Sequence, residues 1–345
     1  MNCGRSGLAL LGGLPGAGDS APTGAEFADL YLRPLAEALV SRGVAVVEQT
    51  RVVSVGRAGL LKGEAIGATG DGRRLRDRFR LLVDGPKGER VETADLVVDA
   101  TGTWGQPNWM GRGGMAAPGE RLAAAYLTRH LPDIAGAARK RFDFGRVAVV
   151  GGGYSAATAI SALMDLREAG GTAELHWVLR DASPSYARFD NDPLTGRDAL
   201  SARMNEVLAG GAGVTIHAGA SVEALSISAH RVNLTLSRED GTTELLRGCS
   251  EVISATGYRP DLELCRELQV HLCYASEGPM KLAAAMLAAG GAGGDCLAQS
   301  SPGAEVLRSP EPGYFVIGAK SYGRGSAFLL GIGYEQVEQI VSLAQ

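Results

Sequence analysis

The residues with the clearest chemical purpose are Gly151, Gly152, Gly153, Tyr154, Ser155 and Ala156, which follow the apolar run Val147 to Val150. Their spacing is Gly-x-Gly-x-x-Ala, and an amphipathic helical pattern begins directly behind it. Strand, glycine turn and helix, in that order, are what the diphosphate of a dinucleotide requires. The first glycine permits a tight turn, the second lets backbone approach phosphate, and the third small residue lets the helix pack on the strand. The phosphates would rest on free N–H groups at the positive end of that helix.

The elements that must position this turn can be read on either side of it. The pattern predicts a helix from Tyr154 to Ala169, stopped by Gly170-Gly171. A strand from Glu174 to Arg180 then completes a βαβ unit of about 30 residues. The residue ending that second strand faces the adenosine ribose. A carboxylate there would bind the 2′-hydroxyl of NADH, whereas Arg180 neutralises a 2′-phosphate, which selects NADPH. A glycine-rich turn in a ligand-free α/β domain is the plainer alternative.

Composition removes several other functions. The 345 residues suggest two domains, and a net charge of −4 with well-mixed signs gives no nucleic-acid stripe and no polybasic membrane patch. No apolar run reaches the ~18 residues that span a bilayer, and Leu8 to Leu11 is too short a core for a signal peptide, so a cytosolic location is expected. Cys3, Cys249, Cys265, Cys273 and Cys296 form no C-x-x-C pair and are expected to be free and buried. The histidines show no metal-ligand spacing, His176 and His217 are expected to pack in strands, and no G-x-S-x-G marks a hydrolase.

Elsewhere, Gly16 to Ala21 formally matches a second fingerprint, but Pro15 and Pro22 flank it and no helix can start where phosphates would need one. Thr23 and Glu26 form a capping box for a helix from Phe27 to Ser41, kinked near Pro34. Strands are expected at Val44 to Val47 and Val52 to Val55, and residues 56–92 read as a hairpin excursion containing Arg80 to Val83. A buried strand, Asp95 to Ala100, a helical stretch near Arg121 to His130, and a helix from Asp198 to Leu208 followed by a strand at Val214 to Ala218 are also predicted. A meander at Val222 to Ser228, Val232 to Ser237 and Thr243 to Leu246 precedes a separate buried strand at Glu251 to Ala255. The Ala/Gly tract from Leu282 to Gly294 reads as a loop, Gly313 to Gly318 as a strand, and Phe328 to Leu343 as the terminal helix.

A strand thus ends in Ala-Thr-Gly twice, at Ala100, Thr101 and Gly102 and at Ala255, Thr256 and Gly257, on either side of the nucleotide unit. Small residues there let backbone approach a ligand at the carboxyl edge of an open sheet. With Pro22 to Phe27, Tyr31-Leu-Arg-Pro34, Asp99 to Asn108, the 151–156 loop, Ala255 to Asp261, and the tail from Gly318 to Arg324 and Phe328 to Gln336, the chain resembles the two-dinucleotide-binding flavoproteins. This group contains flavin monooxygenases and pyridine-nucleotide oxidoreductases.

That resemblance implies a Rossmann-like NAD(P)-binding domain, residues 113–257, inserted into an incomplete FAD-binding α/β domain with β-meander excursions, residues 1–112 and 258–345. It implies FAD as a second cofactor, with backbone around Gly318, Lys320 and Ser321 contacting the flavin. It further implies hydride delivery from NADPH to FAD in a cleft between domains. Such proteins open with their own strand–glycine–helix unit, so a truncated or misassigned start lacking on the order of 60 residues is expected, a pseudo-enzyme or a partner-completed chain being the alternatives. The F-x-G-x-x-x-H signature of oxygen-inserting relatives is not supplied by Phe142 to Gly145, which favours simple hydride transfer. The other function class left open is a non-catalytic, regulatory NADPH-binding protein with a degenerate flavin half.

Lys320 and Arg324 are read either as stabilising charge on reduced flavin or as solvated loop cations. Trp104 and Trp109 are read as packed cleft wall, and Asn191-Asp192 as a polar loop. A small-molecule substrate and self-association are open as partners; nucleic acid and membrane are not expected.

Overall fold

What each side chain of Val147 to Val150 meets explains why the segment is a strand. Val147 and Val149 enter one core with Ile160, Leu163, Trp177 and Met204, while Ala148 and Val150 enter another with Val178, Leu234 and Val252. A strand covered on both faces reads as an unbroken apolar run. The computed structural model describes residues 3–13, 22–67, 72–190, 192, 194–210, 213–289 and 301–344. It is of the α/β class and divides into two compact units, Pro107–Tyr258 and Met1–Gln106 with Arg259–Gln345. The formal second fingerprint at 16–21 lies outside the described residues.

The first stretch of the split unit carries helices α1 (Arg5–Leu11), α2 (Gly24–Phe27) and α3 (Arg33–Val40). The predicted capping box forms: Glu26 N donates to Thr23 Oγ1 at 3.2 Å and Thr23 N to Glu26 Oε2 at 2.7 Å. Between α2 and α3 the predicted kink takes the form of a π-helical turn, Ala28–Leu32, ahead of Pro34, which has no N–H to continue an α-ladder. The predicted strand at Val44 to Val47 does not form. Its valines are exposed and it has no ladder partner among the described residues, and a strand without one leaves its backbone groups to water.

Strands β1 (Arg51–Arg57), β2 (Phe79–Gly85) and β3 (Gly88–Ala94) form an antiparallel sheet in that order, with α4 (Arg73–Arg76) inside the excursion. Strand β4 (Val97–Asp99) is shorter and less buried than predicted: Asp99 is covered, but Val98 is 41% exposed. It has a neighbour on one side only among the described residues.

The continuous unit is built on a seven-stranded sheet. It contains β5 (Leu127–Thr128), α5 (Arg139–Phe142), β6 (Arg146–Val150), α6 (Tyr154–Glu168), β7 (Glu174–Val178), α7 (Thr195–Leu208), β8 (Val214–His217), β9 (Ser221–Ser228), β10 (Arg231–Ser237) and β11 (Thr243–Ser254). The order is β8-β7-β6-β11-β10-β9, with β5 also beside β11. β8, β7, β6 and β11 run parallel, and β10 and β9 run antiparallel to their neighbours. Two predictions are corrected here. The helical stretch at 121–130 is a single 3₁₀ turn, Ala124–Tyr126, running into β5. The third meander strand and the separate buried strand are one strand, β11, whose first half pairs β10 and whose second half pairs β6.

The closing stretch returns to the split unit with α8 (Met280–Ala288), β12 (Tyr314–Val316) and α9 (Leu330–Ala344). Leu282 to Ala288 is therefore helix rather than the predicted loop, because alanine, leucine and methionine are strong helix formers whatever their low complexity; residues 290–294 lie outside the described residues. β12 pairs β4 in parallel. Its residues alternate between two cores: Phe315 packs with Leu282 and Ile332, and Tyr314 with Val55 and Phe79. Among the described residues no helix is long and apolar enough to cross a membrane.

Candidate functional site

The glycine turn leaves the carboxyl end of β6. Gly151 N donates to Val178 O at 3.1 Å, tying the turn to the end of β7. Gly151 has φ 132°, and a Cβ there would stand 2.2 Å from Ala255 O. The first glycine is thus demanded by protein backbone on its far side as well as by the turn. Gly153 differs: it has φ −86°, is the N-cap of α6 with no capping side chain, and nothing lies within 4 Å of where a Cβ would be. Gly152, Gly153, Tyr154 and Ser155 are exposed, whereas Ala156 is fully buried against the sheet. No acidic residue sits in the first turn of α6. The helix therefore opens with free N–H groups, a positive end and a space that any Cβ would fill, which fits a diphosphate.

Arg180 emerges two residues beyond β7, at the same sheet edge, since Val150 and Val178 are paired in parallel register. It is exposed and makes no ion pair among the described residues. The carboxylate beside it, Asp181, accepts the N–H of Ser183 at 2.9 Å within a local turn. Farther along, Arg188 is held by Asp198 at 2.7 and 2.8 Å and Arg197 by Asp192 at 2.7 and 2.9 Å. Asp192 is thus a structural acceptor, and Asn191 lies outside the described residues.

The second Ala-Thr-Gly belongs to the same unit. Ala255 N donates to Val150 O at 2.8 Å, placing it against the glycine turn. Thr256 Oγ1 donates to Asn108 O at 2.9 Å, Asn108 Nδ2 donates to Thr256 O at 3.2 Å, and Asn108 N donates to Gly257 O at 2.9 Å. Asn108 clamps this turn.

The first Ala-Thr-Gly lies in the split unit, together with Gly318, Lys320 and Ser321. Lys320 is neither solvated nor free, which corrects the reading of it as a loop cation. It is 1% exposed, and its Nζ lies 2.6 Å from Asp99 Oδ2 and 3.2 Å from Thr101 Oγ1. Tyr314 Oη and Thr101 Oγ1 also donate to the Asp99 carboxylate, at 2.8 and 2.7 Å. Burial alone would raise the Asp99 pKa, but the Lys320 ammonium and the three hydrogen bonds outweigh it and hold the carboxyl below its usual range. Gly318 N donates to Gln336 Oε1 at 2.8 Å, and Gln336 Nε2 donates to Ser321 Oγ at 3.0 Å, so α9 fixes this loop. Arg324 pairs with Glu277 at 2.8 Å.

Gly102 and Gly318 both have φ 68° and open space where a Cβ would stand, and they leave the same edge because β4 and β12 are parallel. This edge fits close backbone contact by a flavin. Among the described residues of this unit there is no second strand–glycine–helix turn; the fingerprint at 16–21 lies outside them.

The guanidinium groups of Arg121 and Arg129 lie over the Trp109 ring at 5.4 and 4.9 Å, but Trp104 is 66% exposed and is not packed wall. His176 and His217 are buried and share a 3.0 Å hydrogen bond. Cys249 and Cys265 are free and buried as expected; Cys3 and Cys273 are free but only half-buried, and Cys296 lies outside the described residues. No metal-binding cluster exists among the described residues. Sequence reading missed the groups behind the glycine turn: Trp177 Nε1 donates to Gly151 O at 2.8 Å and Tyr186 Oη to Gly152 O at 3.0 Å. Neither lies in a motif; only their size and position near the turn could have signalled them.

Residues 33–278 match the pyridine nucleotide-disulphide oxidoreductase family. Among solved structures, a bacillithiol disulfide reductase from Bacillus cereus is similar over 90% of this chain and 75% of its own, at 18% identity and TM-score 0.60. A thioredoxin reductase from T. acidophilum is similar over 94% and 81%, at 15% identity and TM-score 0.56. An ornithine N-hydroxylase from Kutzneria sp. 744, solved with reduced FAD, NADP+ and L-ornithine, is similar over 94% and 78%, at 16% identity and TM-score 0.56. At such identities these likenesses establish the fold. Comparison with curated proteins yields no significant match.

Proposed function

The chain belongs to the pyridine nucleotide-disulphide oxidoreductase family, a family of enzymes, and from that premise we propose that it is an FAD-dependent oxidoreductase that takes NADPH as hydride donor. One observation carries the choice of site: Gly153 is open and uncapped at the N-terminus of α6, with Arg180 exposed at the same sheet edge. When bound, the nicotinamide supplies a hydride and the flavin accepts it. The chain's own residues do the rest. The first-turn N–H groups of α6 receive the diphosphate, Ala156 packs the helix close enough to aim them, and Arg180 answers the 2′-phosphate. Gly102 and Gly318 leave backbone open to a flavin, while Asp99 and Lys320 neutralise one another behind that edge.

Relatives with solved structures include both reductases and a hydroxylase, and the missing F-x-G-x-x-x-H spacing favours reduction over oxygen insertion for this chain. The substrate reduced in turn is a small molecule. A second reading, a non-catalytic NADPH-binding protein, needs only the 151–156 turn and Arg180. Calorimetric titration with NADP+ and NAD+, together with the visible spectrum of the purified protein, tests both. NADP+ heat with a flavin spectrum supports the oxidoreductase; NADP+ heat from colourless protein supports the second reading; no heat from either nucleotide ends both.

A further inference from the structure

Each of the three glycine carbonyls of the turn is reached by a hydroxyl or indole donor from behind. Trp177 Nε1 donates to Gly151 O at 2.8 Å, and Tyr186 Oη lies 3.0 Å from Gly152 O and 3.4 Å from Gly153 O. A peptide whose carbonyl is drawn inward must present its N–H outward, because the two are antiparallel in one plane. The two donors also touch each other, their rings stacked at 6.2 Å, and Tyr154 meets the Tyr186 ring edge-on at 5.6 Å. Tyr186 lies on the connector that begins at Arg180, and α7 holds it there. Asn205 Oδ1 accepts the Tyr186 N–H at 2.8 Å, and Asn205 Nδ2 donates to Tyr186 O at 2.9 Å.

We infer that Tyr186 is a positioning residue for the diphosphate cradle: its hydroxyl, seated by Asn205 and backed by Trp177, fixes the peptides that follow Gly151, Gly152 and Gly153 so that the N–H groups of residues 152–154 face the nucleotide. The inference rests on the nucleotide site proposed above. Both oxygens the hydroxyl meets are carbonyls, so it can serve only as donor. Burial, with Tyr154 beside it, raises its pKa and keeps it protonated. This role differs from that of Arg180: the hydrogen bonds of the Tyr186 hydroxyl go to backbone carbonyls of the turn.

Tyr186→Phe removes the donor and keeps the ring. One neutral hydrogen bond corresponds to about a fivefold rise in Kd for NADP+ by calorimetry. Adenosine 2′-phosphate, which has no diphosphate, should bind as it does to wild type, and the loss of one hydrogen bond should lower the melting temperature by no more than about 4 °C. Without any ligand, amide exchange at residues 152–154 should quicken. Asn205→Ala, which releases the Tyr186 backbone, should give the same selective pattern. Unchanged NADP+ affinity with unchanged exchange overturns the inference and leaves the nucleotide site standing; equal weakening of NADP+ and adenosine 2′-phosphate also overturns it. If wild-type protein binds no NADP+, the site proposal fails, and the exchange measurement still decides whether Tyr186 holds the turn.

Discussion

Gly151 and Gly153 are two residues apart in one motif, and the same substitution should do opposite things at each. At Gly151 an alanine meets two obstacles. Its φ of 132° is a region that L-residues avoid, at a cost of about 1–3 kcal/mol. Its Cβ would also stand 2.2 Å from Ala255 O, a backbone atom that cannot rotate away, and overpacking of that kind costs about 1–3 kcal/mol more. The sum, about 2–6 kcal/mol, is a large part of a domain's stability. At roughly 2–4 °C per kcal/mol, Gly151→Ala should lower the melting temperature by roughly 4–24 °C. At Gly153 φ is −86° and no atom lies within 4 Å of the added methyl, so Gly153→Ala should melt within about 2 °C of wild type, the small loss at an N-cap being offset by a less flexible unfolded chain. That methyl occupies the face proposed for the diphosphate, and a clash worth about 1–3 kcal/mol weakens NADP+ by roughly 5- to 150-fold. Thermal melts and calorimetric titration of both variants read the two effects separately. Wild-type NADP+ affinity in a well-folded Gly153→Ala protein would falsify the cradle, and an unshifted melt for Gly151→Ala would refute the packing of Ala255 against the turn.

Arg180→Ala should weaken NADP+ by roughly 10- to 100-fold, the range for a hydrogen bond to a charged group, and leave NAD+ nearly unchanged by the same titration; equal losses remove the argument for a phosphorylated nucleotide. Lys320→Met leaves the Asp99 carboxylate buried without its cation and should cost about 3–5 kcal/mol in denaturant unfolding, most of it recovered in the Asp99→Asn/Lys320→Met double variant. Because the Asp99 carboxyl titrates below its unfolded value, its share of stability is complete above about pH 4 and fades as pH falls through the lower folded value, which melts taken from pH 6 to 2 should show. Burial first, then His217, with Arg146 adding and Glu174 opposing, holds the His176 imidazole below its ordinary range. The unfolded chain therefore takes up that proton at higher pH, so stability should fall below about pH 6.5; His176→Gln should flatten that slope, and an unaltered slope assigns it elsewhere.

The fold around the nucleotide turn was legible because its signals are local. The apolar run at 147–150, the glycines and the helix up to Gly170 lie within one short stretch, and each element follows from covalent preference and burial alone. Predictions failed where structure depends on a neighbour far along the chain. Val44 to Val47 has the composition of a strand yet finds no ladder among the described residues. β11 was split in two because its pairing changes partner halfway, from β10 to β6, which no periodicity records. Lys320 could not be recognised as buried, since its counter-ion Asp99 is 221 positions away. Tyr186 lies in a polar connector, and only the fold brings its hydroxyl to the glycine carbonyls.

The two Ala-Thr-Gly turns carry this contrast further, because identical tripeptides perform different physical tasks. In the continuous unit, Ala255 presents its carbonyl to Gly151, and Thr256 and Gly257 bond Asn108, so that turn packs against the 151–153 glycine turn. In the split unit, Ala100 and Thr101 are exposed and Gly102 has open space where a side chain would be, while the charge beside them, Asp99, is neutralised from within by Lys320. A buried ion pair directly behind an open backbone edge has a chemical consequence. It places fixed dipoles beside any ligand lying on that edge and adds no net charge, so an uncharged ring is tolerated there better than a bare cation or anion. The shared tripeptide is therefore evidence for a turn at a sheet edge, and what each turn does is decided by residues that lie far from it in sequence.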